Sequence, residues 1–188
     1  MYFHGPAKSG EGQRTFLAVS KDGLHFTAST RILGESYFRV FHRSGSYYAI
    51  SNGGILHRSR DGVTEFEQGP NLFPMPEGHR VRHSAIKMDG DILTVFYSRI
   101  GDNPECIMVS TIRMTADWKR WKPSEGVVLL RPELDWEGAD LALEPSAGGP
   151  AKRRVRQLRD PAIYREGGKT YLLYSVAGES GIAIAELR

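Results

Sequence analysis

The feature that most constrains the fold of this chain is an internal repeat, in which one pattern of short segments returns several times. Each copy has a turn with glycine, a strand rich in aromatic residues, a strand rich in Ala and Ser, and then Ser/Thr-x-Asp followed by an aromatic residue. The clearest copy occupies residues 40–66, two more occupy 85–121 and 162–185, and a partial copy occupies 1–26. Self-similarity of this kind indicates a repeat architecture.

Each copy is typical of a blade of antiparallel strands. Asp-Gly and Ser-Gly pairs supply the residues with φ > 0 that tight hairpins need. Strands such as residues 169–174 carry the β-branched and aromatic residues that suit a pleated, mostly buried surface. One four-stranded blade cannot bury both of its faces, so we expect the blades to stack around an axis as a β-propeller. In the Ser-x-Asp corner, we expect the carboxylate to accept backbone N–H bonds and the aromatic residue to fill the space between blades.

Composition agrees with an all-β chain of this length. The chain of 188 residues has 21 Gly, 10 Pro and 10% aromatic residues, which suits many short strands joined by tight turns. No stretch approaches the roughly 18 apolar residues of a membrane span, and residues 1–6 lack the basic flank and apolar core of a signal peptide. We therefore expect a cytoplasmic protein without a membrane partner. The single cysteine, Cys106, excludes an internal disulfide and a cysteine-based metal site.

Charge and motifs exclude several functional classes. The net charge of +3 is small for this length, so we expect no nucleic-acid partner. The basic run at residues 152–156 favours a solvated loop before a strand, with contact to a phosphate or an acidic sugar as the alternative. The chain has no Gly-rich phosphate loop, no His-Glu-x-x-His motif and no Gly-x-Ser-x-Gly elbow.

One tripeptide carries a resemblance to a known group of enzymes. Arg159-Asp160-Pro161 opens a strand that is followed by the aromatic segment 171–175, and this arrangement resembles the five-bladed propellers of the arabinanase, β-xylosidase and invertase-like glycoside hydrolases. Segments 3–6, 20–23 and 44–48 look like the same group, so the resemblance covers nearly the whole chain.

The resemblance implies a single β-propeller domain over residues 1–188, with about three and a half to four blades. The partial blade would cover about 1–33, and the later blades about 34–75, 76–131 and 132–188. The innermost strand of each blade would line a central funnel. By the same comparison the first blade and the opening strand of the second would be missing before Met1, and an open ring exposes strand edges and apolar faces. We therefore expect a homo-oligomer, most simply a dimer whose copies cover one another's open edges.

The same resemblance directs attention to carboxyl groups. Glycoside hydrolysis needs two of them facing across the scissile bond, one protonated and one ionised. The catalytic candidates in this chain are Asp160, Glu105 and Glu35. Asp160 leads this set, with the alternative that its carboxylate only accepts backbone N–H bonds beside Pro161. Glu35 lies only approximately where the resemblance implies an acid, near the opening of a strand.

Cationic and aromatic side chains complete the predicted site. The candidates for substrate binding are Arg39, Arg82, His83, Arg159 and Trp136. The first four are assigned to innermost strands, and Trp136 offers a ring on which a sugar can stack. His83 has the chemistry of a general acid/base or a metal ligand, with a histidine packed in the channel as the alternative. No cofactor is expected, and a Ca²⁺ ion bound in the funnel by carboxylates and water is left open.

These expectations converge on a carbohydrate-active propeller. The first interpretation is a glycoside hydrolase that acts on the glycosidic bonds of a carbohydrate substrate in its funnel, with Asp160 and either Glu105 or Glu35 as the carboxyl pair. The second is a non-catalytic module that binds sugar or assembles with a partner. The third is a truncated propeller that has kept the fold and lost the hydrolase activity. The sequence leaves open whether the chain is an enzyme, and on which sugar and linkage it acts.

Overall fold

The computed structural model describes residues 1–8, 10 and 12–188, which divide into two compact units, Met1–Asn71 and Leu72–Arg188. Within this part of the chain the helical structure consists of short 3₁₀ turns at Asn52–Gly54, Trp118–Arg120 and Asp135–Glu137. All other regular structure is antiparallel β-sheet, which confirms the prediction of an all-β fold.

Two sheets make up the first unit. The strands are β1 (Tyr2–Pro6), β2 (Gln13–Ser20), β3 (Phe26–Ala28), β4 (Gly34–Glu35), β5 (Arg39–Arg43), β6 (Ser46–Ile50), β7 (Ile55–Ser59) and β8 (Glu67–Asn71). In the first sheet β2 pairs with β1 on one side and with β3 and β4 in turn on the other. The second sheet follows chain order from β5 to β8.

Two further sheets make up the second unit. Their strands are β9 (Arg80–Asp89), β10 (Ile92–Ile100), β11 (Ile107–Arg113), β12 (Val127–Leu130), β13 (Arg159–Glu166), β14 (Lys169–Val176) and β15 (Gly181–Leu187). Strands β9 to β12 form a four-stranded sheet in chain order, and β13 to β15 form a sheet that, within the described residues, has three strands. The repeat predicts a fourth strand there, which is not among the described strands. That the four sheets belong to one domain over 1–188 stays a prediction.

Two-residue hairpins join β5 to β6 and β13 to β14. Ser44 and Gly45, between β5 and β6, have φ of 48° and 73°, and Gly167 and Gly168, between β13 and β14, have φ of 58° and 78°. Two successive residues with positive φ match the right-handed twist of the flanking strands. The predicted Ser-Gly hairpin is therefore confirmed.

The Ser-x-Asp corners have the predicted hydrogen bonds. Asp61 Oδ1 accepts the backbone N–H groups of Val63 and Thr64 at 2.8 and 3.0 Å, and Asp22 accepts those of Leu24 and His25 at 2.9 and 2.8 Å. Hydrogen bonds from the Thr64 side chain and from these backbone groups hold the pKa of Asp61 well below its usual range. The Asp in each corner fixes the turn.

The aromatic residues that follow these corners divide into two classes. Phe66 is buried and packs against Phe38 with ring centroids 5.0 Å apart and against Tyr2 at 6.2 Å, so it fills the space between the two sheets of the first unit. Phe26, the equivalent residue of the partial copy, is 43% exposed. The predicted packing of this aromatic residue is therefore confirmed at Phe66 and wrong at Phe26, which lies on the three-residue strand β3.

The core of the second unit lies between its two sheets. Buried apolar side chains from both sheets and from the segment before β13 form one cluster: Ala85, Phe96, Ile107, Leu158, Leu172, Tyr174 and Val176. Burial of side chains of this size stabilises a fold by about 1.5–3 kcal/mol each. The cluster holds β9 against β13, the two strands on which Arg82, His83, Arg159 and Asp160 of the predicted site lie.

Candidate functional site

Two β-bulges shape the first strands of the second unit. On β9, Arg82 and His83 lie opposite the single residue Ser98 of β10, because the register shifts between Tyr97 and Arg99. On β13, two residues, Asp160 and Pro161, likewise lie opposite a single residue of β14, because the register shifts between Arg159 and Ala162. A bulge bends its strand and changes the direction in which a side chain points.

The bulges bring His83 and Asp160 together although 77 positions separate them in the sequence. Nδ1 of His83 and Oδ1 of Asp160 form a short hydrogen bond, and the Ser175 hydroxyl donates to Oδ2 of Asp160 at 3.1 Å. The side chains of His83 and Asp160 are 22% and 30% exposed. Asp160 also has φ of 51°, an uncommon conformation for a residue other than glycine, and one found disproportionately at functional sites.

The charge state of Asp160 follows from its neighbours. Burial raises the pKa of this carboxyl, but the hydrogen bond and charge of His83 and the hydrogen bond from Ser175 lower it more, so the net pKa lies below the usual value. The carboxylate is therefore ionised at neutral pH. The hydrogen bonds of the Asp160 carboxylate come from the side chains of His83 and Ser175. The alternative expectation was that this carboxylate accepts hydrogen bonds from backbone N–H groups.

Behind this pair lies a fully buried ionic network. The carboxylate of Glu105 has no exposed surface and accepts two hydrogen bonds from Arg82, from Nε at 2.8 Å and from Nη2 at 3.1 Å. Nε of Arg159 lies 3.3 Å from the second oxygen of Glu105. Both arginine side chains are more than nine-tenths buried. One carboxylate thus contacts the arginines that directly precede His83 and Asp160 in the sequence.

The network also holds the loop that runs ahead of β13. Arg82 donates to the carbonyl oxygens of Ala147 and Gly149 at 2.5 and 3.1 Å. Arg159 donates to Oε1 of Glu179 at 3.0 Å, and the same oxygen accepts the backbone N–H of Ala151 at 3.1 Å. The loop is therefore fastened to the sheets by side chains of both signs, which compensates the burial of the two guanidinium groups.

The contacts of this cluster do not include three of the predicted site residues. Glu35 is in the first unit, where Oε2 accepts a hydrogen bond from Arg14 at 2.5 Å and the side chain is 39% exposed. Arg39 opens β5 in the same unit. Trp136 belongs to the second unit, where it is half exposed on a 3₁₀ turn beside the buried Glu137, whose carboxylate accepts the hydroxyl of Tyr174 at 3.0 Å.

Three side chains of the cluster were absent from the predicted site. Ser175 is the register partner of Arg159, so a paired hairpin at residues 159–175 was the signal that could have found it. Gln157 precedes Arg159 by two residues and accepts its hydrogen bond locally, whereas Glu179 lies in the loop after β14. Among the described residues, no group of three or more His, Cys, Asp and Glu side chains is arranged to hold a metal ion.

The chain is similar in sequence to a viral protein. Uncharacterized protein R118 of Acanthamoeba polyphaga mimivirus is 39% identical over 204 residues, which cover 100% of this chain and 56% of that protein. No protein-family model matches the chain. In the part of the chain that the structure describes, no helix is long and apolar enough to cross a membrane.

Solved structures of glycoside hydrolases match the chain in three dimensions. One glycoside hydrolase matches 100% of this chain and 62% of its own length, with a TM-score of 0.69 at 15% identity. A thermostable family-43 glycoside hydrolase matches 98% of the chain and 66% of its own length, with a TM-score of 0.65 at 13% identity. The α-L-arabinanase of Cellvibrio cellulosa, complexed with arabinohexaose, matches 80% and 47%, with a TM-score of 0.53 at 17% identity.

The chain spans between 47% and 66% of the lengths of these proteins. The matches extend over both compact units, and they agree with the repeat of antiparallel sheets and with the resemblance carried by Arg159-Asp160-Pro161. The chain therefore has the β-propeller fold of the glycoside hydrolases.

Proposed function

We propose that this chain is a carbohydrate-active propeller that acts on glycosidic bonds, with Asp160 and His83 as the residues that contact the sugar. The observation that carries the proposal is their hydrogen-bonded pair, which is partly exposed and lies at bulges on the first strands of two sheets. In a propeller of this type the first strand of each blade faces the central channel. Carboxylate and imidazole groups there suit the hydroxyl groups of a sugar.

Asp160 has the properties of the ionised member of a hydrolytic carboxyl pair. Its lowered pKa keeps it anionic at neutral pH, and His83 and Ser175 fix its orientation. An ionised carboxylate in such a site serves as base or nucleophile, or stabilises the charge that develops on the sugar ring. Glu105 does not complete the pair in this proposal, because its buried oxygens already contact Arg82 and Arg159.

A second candidate function is sugar binding without hydrolysis. The observation that favours it is that Glu105 and Glu35, the other two candidate carboxyls, both form ion pairs with arginine. A general acid must deliver a proton to the leaving oxygen, and a carboxylate paired with a guanidinium group is poorly suited to that task. Asp160 and His83 would then hold the sugar by hydrogen bonds alone.

One experiment separates these candidates. Wild-type protein and the Asp160→Asn variant are assayed on a panel of aryl furanosides and pyranosides, and their binding to a glycan array is measured in parallel. For a hydrolase we expect turnover by the wild type and a loss of about 100-fold or more in the variant, since the isosteric amide cannot act as base or nucleophile. Asp61→Asn is the matched control, because Asp61 fixes a turn of the first unit.

The outcomes are distinct. Turnover that depends on Asp160 supports the hydrolase, and glycan binding that depends on Asp160 without turnover supports the second function. Neither turnover nor binding by the folded wild type, or equal values for Asp160→Asn and the wild type, would overturn both candidates.

The proposal includes a homodimer and a cytoplasmic location. Ile182 and Ile184 on β15 are 78% and 61% exposed, and among the described strands β15 pairs with β14 alone. An unpaired strand edge with exposed apolar side chains attracts another strand. Light scattering on the purified chain tests the dimer, which a stable monomer would contradict, and cell fractionation tests the location.

A further inference from the structure

We propose that Glu105 is the positioning residue of the site: its buried carboxylate joins Arg82 to Arg159 and thereby holds His83 against Asp160. This inference rests on the proposed function, since it concerns the same pair of residues. It assigns to Glu105 a role different from the catalytic role that the sequence suggested.

Each residue of the pair directly follows an arginine along its strand. Arg82 precedes His83 on β9, and Arg159 precedes Asp160 on β13. In each pair the arginine side chain is buried and the next side chain is partly exposed. Each arginine is joined through one peptide bond to the residue that follows it, so fixing the arginine restricts the backbone from which the next side chain projects.

Glu105 connects the two pairs. It lies just before β11, and its side chain has no exposed surface. Its hydrogen bonds from Arg82 have fork geometry, with two nitrogens on two oxygens, and Oε2 also lies 3.3 Å from Arg159. A planar guanidinium held at two points cannot rotate, which gives the contact its geometric specificity. The two sheets are thus joined by one carboxylate directly beneath the site.

The charges around the bridge make Glu105 indispensable to it. Arg82 donates hydrogen bonds to Glu105 and to the carbonyls of Ala147 and Gly149, so Glu105 is the carboxylate that holds it by hydrogen bonds. Arg159 has a second acidic partner, Glu179, whose side chain is about one-third exposed. Removal of the Glu105 charge leaves Arg82 buried without its hydrogen-bonded carboxylate and leaves Arg159 with the partly exposed Glu179, a strongly unfavourable arrangement. We expect β9 and β13 to move apart and the contact between His83 and Asp160 to be lost.

Burial argues against direct catalysis by Glu105. A general acid or base must lie within hydrogen-bond reach of the substrate atom that it protonates or deprotonates. With no exposed surface and its oxygens in contact with two arginines, Glu105 does not meet this requirement. Its influence on the site passes through Arg82 and Arg159.

The test uses NMR of the histidine side chains and needs no carbohydrate. In the wild type, the Nδ1–H proton of His83 is expected to be protected from exchange with water, and a His83→Gln variant identifies its resonance among the 6 histidines. In Glu105→Gln we expect this proton to exchange about tenfold faster or more, which corresponds to roughly 1.4 kcal/mol of lost hydrogen bonding. Arg82→Lys, which keeps the charge and loses the fork, serves if Glu105→Gln does not fold, and we expect the same change there.

Glu179→Gln is the matched control, because it also removes an acidic partner of Arg159 but leaves Glu105 and Arg82 in place. We expect the His83 proton to remain protected in this variant. The inference is overturned if Glu105→Gln or Arg82→Lys preserves the wild-type exchange rate, or if Glu179→Gln accelerates exchange as much as they do. Because the readout is made without substrate, this outcome is independent of whether the wild type hydrolyses or binds a glycan.

Discussion

Strand β5 of the first unit and strands β9 and β13 of the second unit differ in the regularity of their pairing. In the first unit, β5 pairs with β6 in continuous register from Arg39 to Arg43. In the second unit, β9 and β13 each carry a bulge, and the bulges bring His83 and Asp160 together. The same repeat therefore builds a regular sheet in one place and a polar site in another. The difference arises from one extra residue per strand.

The ion pairs of the two units differ in their burial. The pair of Arg14 and Glu35 in the first unit lies at the surface, with side chains 23% and 39% exposed. The pair of Arg82 and Glu105 in the second unit is buried, at 7% and 0%. Exposed pairs contribute little because water screens them, whereas a buried pair is costly to break because one charge is left without a partner. We therefore expect a Glu-to-Gln substitution to lower the free energy of unfolding more at Glu105 than at Glu35.

Glu105→Gln tests this difference and has the largest expected effect. We expect the free energy of unfolding to fall by about 4 kcal/mol, since Arg82 and Arg159 would remain buried without their shared carboxylate. Glu35→Gln in the first unit is the control, with an expected loss of at most about 1 kcal/mol. Urea denaturation followed by fluorescence and circular dichroism gives both values. Equal losses in the two variants would show that the buried bridge contributes no more than a surface pair.

The second prediction concerns the two copies of the aromatic residue that follows a Ser-x-Asp corner. Phe66 is buried against Phe38 and Tyr2, whereas Phe26 is 43% exposed. We expect Phe66→Ala to lower the free energy of unfolding by about 3 kcal/mol, because it leaves a cavity between the two sheets. Phe26→Ala is expected to lower it by less than about 1 kcal/mol. Thermal and urea unfolding measure both, and a loss at Phe26 equal to that at Phe66 would contradict the assignment of the core.

Local signals explain which parts of the fold could be predicted from the sequence. The Ser44-Gly45 hairpin and the Asp61 corner depend on residues close together in the chain, so their sequence motifs predict them directly. The outward position of Phe26 could not be predicted in this way. The motif is the same as at Phe66, and only the packing of the neighbouring sheet distinguishes them.

Part of the cluster could be named from the sequence, but its arrangement could not. His83 and Asp160 were both candidates from their position at the start of strands, yet their contact joins residues 77 positions apart. It depends on two bulges, and although Pro161 is typical of a bulge or an edge strand, no turn motif or periodicity in the sequence marks a bulge at residue 83. The role of Glu105 depends on burial, which a loop position such as residues 101–105 does not reveal. Long-range pairing and burial are therefore what the structure adds.

The third prediction contrasts His57 of the first unit with His83 of the second unit. Whereas His83 contacts a carboxylate, His57 of the first unit is 2% exposed, with Nε2 3.0 Å from the Ser51 hydroxyl and its ring 4.8 Å from that of Phe38. Within the described residues, Nδ1 of His57 has no hydrogen-bond partner. Burial lowers the pKa of His57 from 6.5 to about 4, since the charged ring would lose its hydration.

The lowered pKa of His57 sets the sign of a pH effect on stability. Between pH 6.5 and about pH 4 the unfolded chain binds a proton at this residue and the folded chain does not, so stability falls as the pH falls through this window. The full effect is on the order of 3 kcal/mol. We expect His57→Gln to show a shallower decline than the wild type when urea unfolding is measured from pH 7 to pH 4. Parallel curves for the two proteins would mean that His57 is protonated in the folded state, and the burial that distinguishes it from His83 would then not govern its charge.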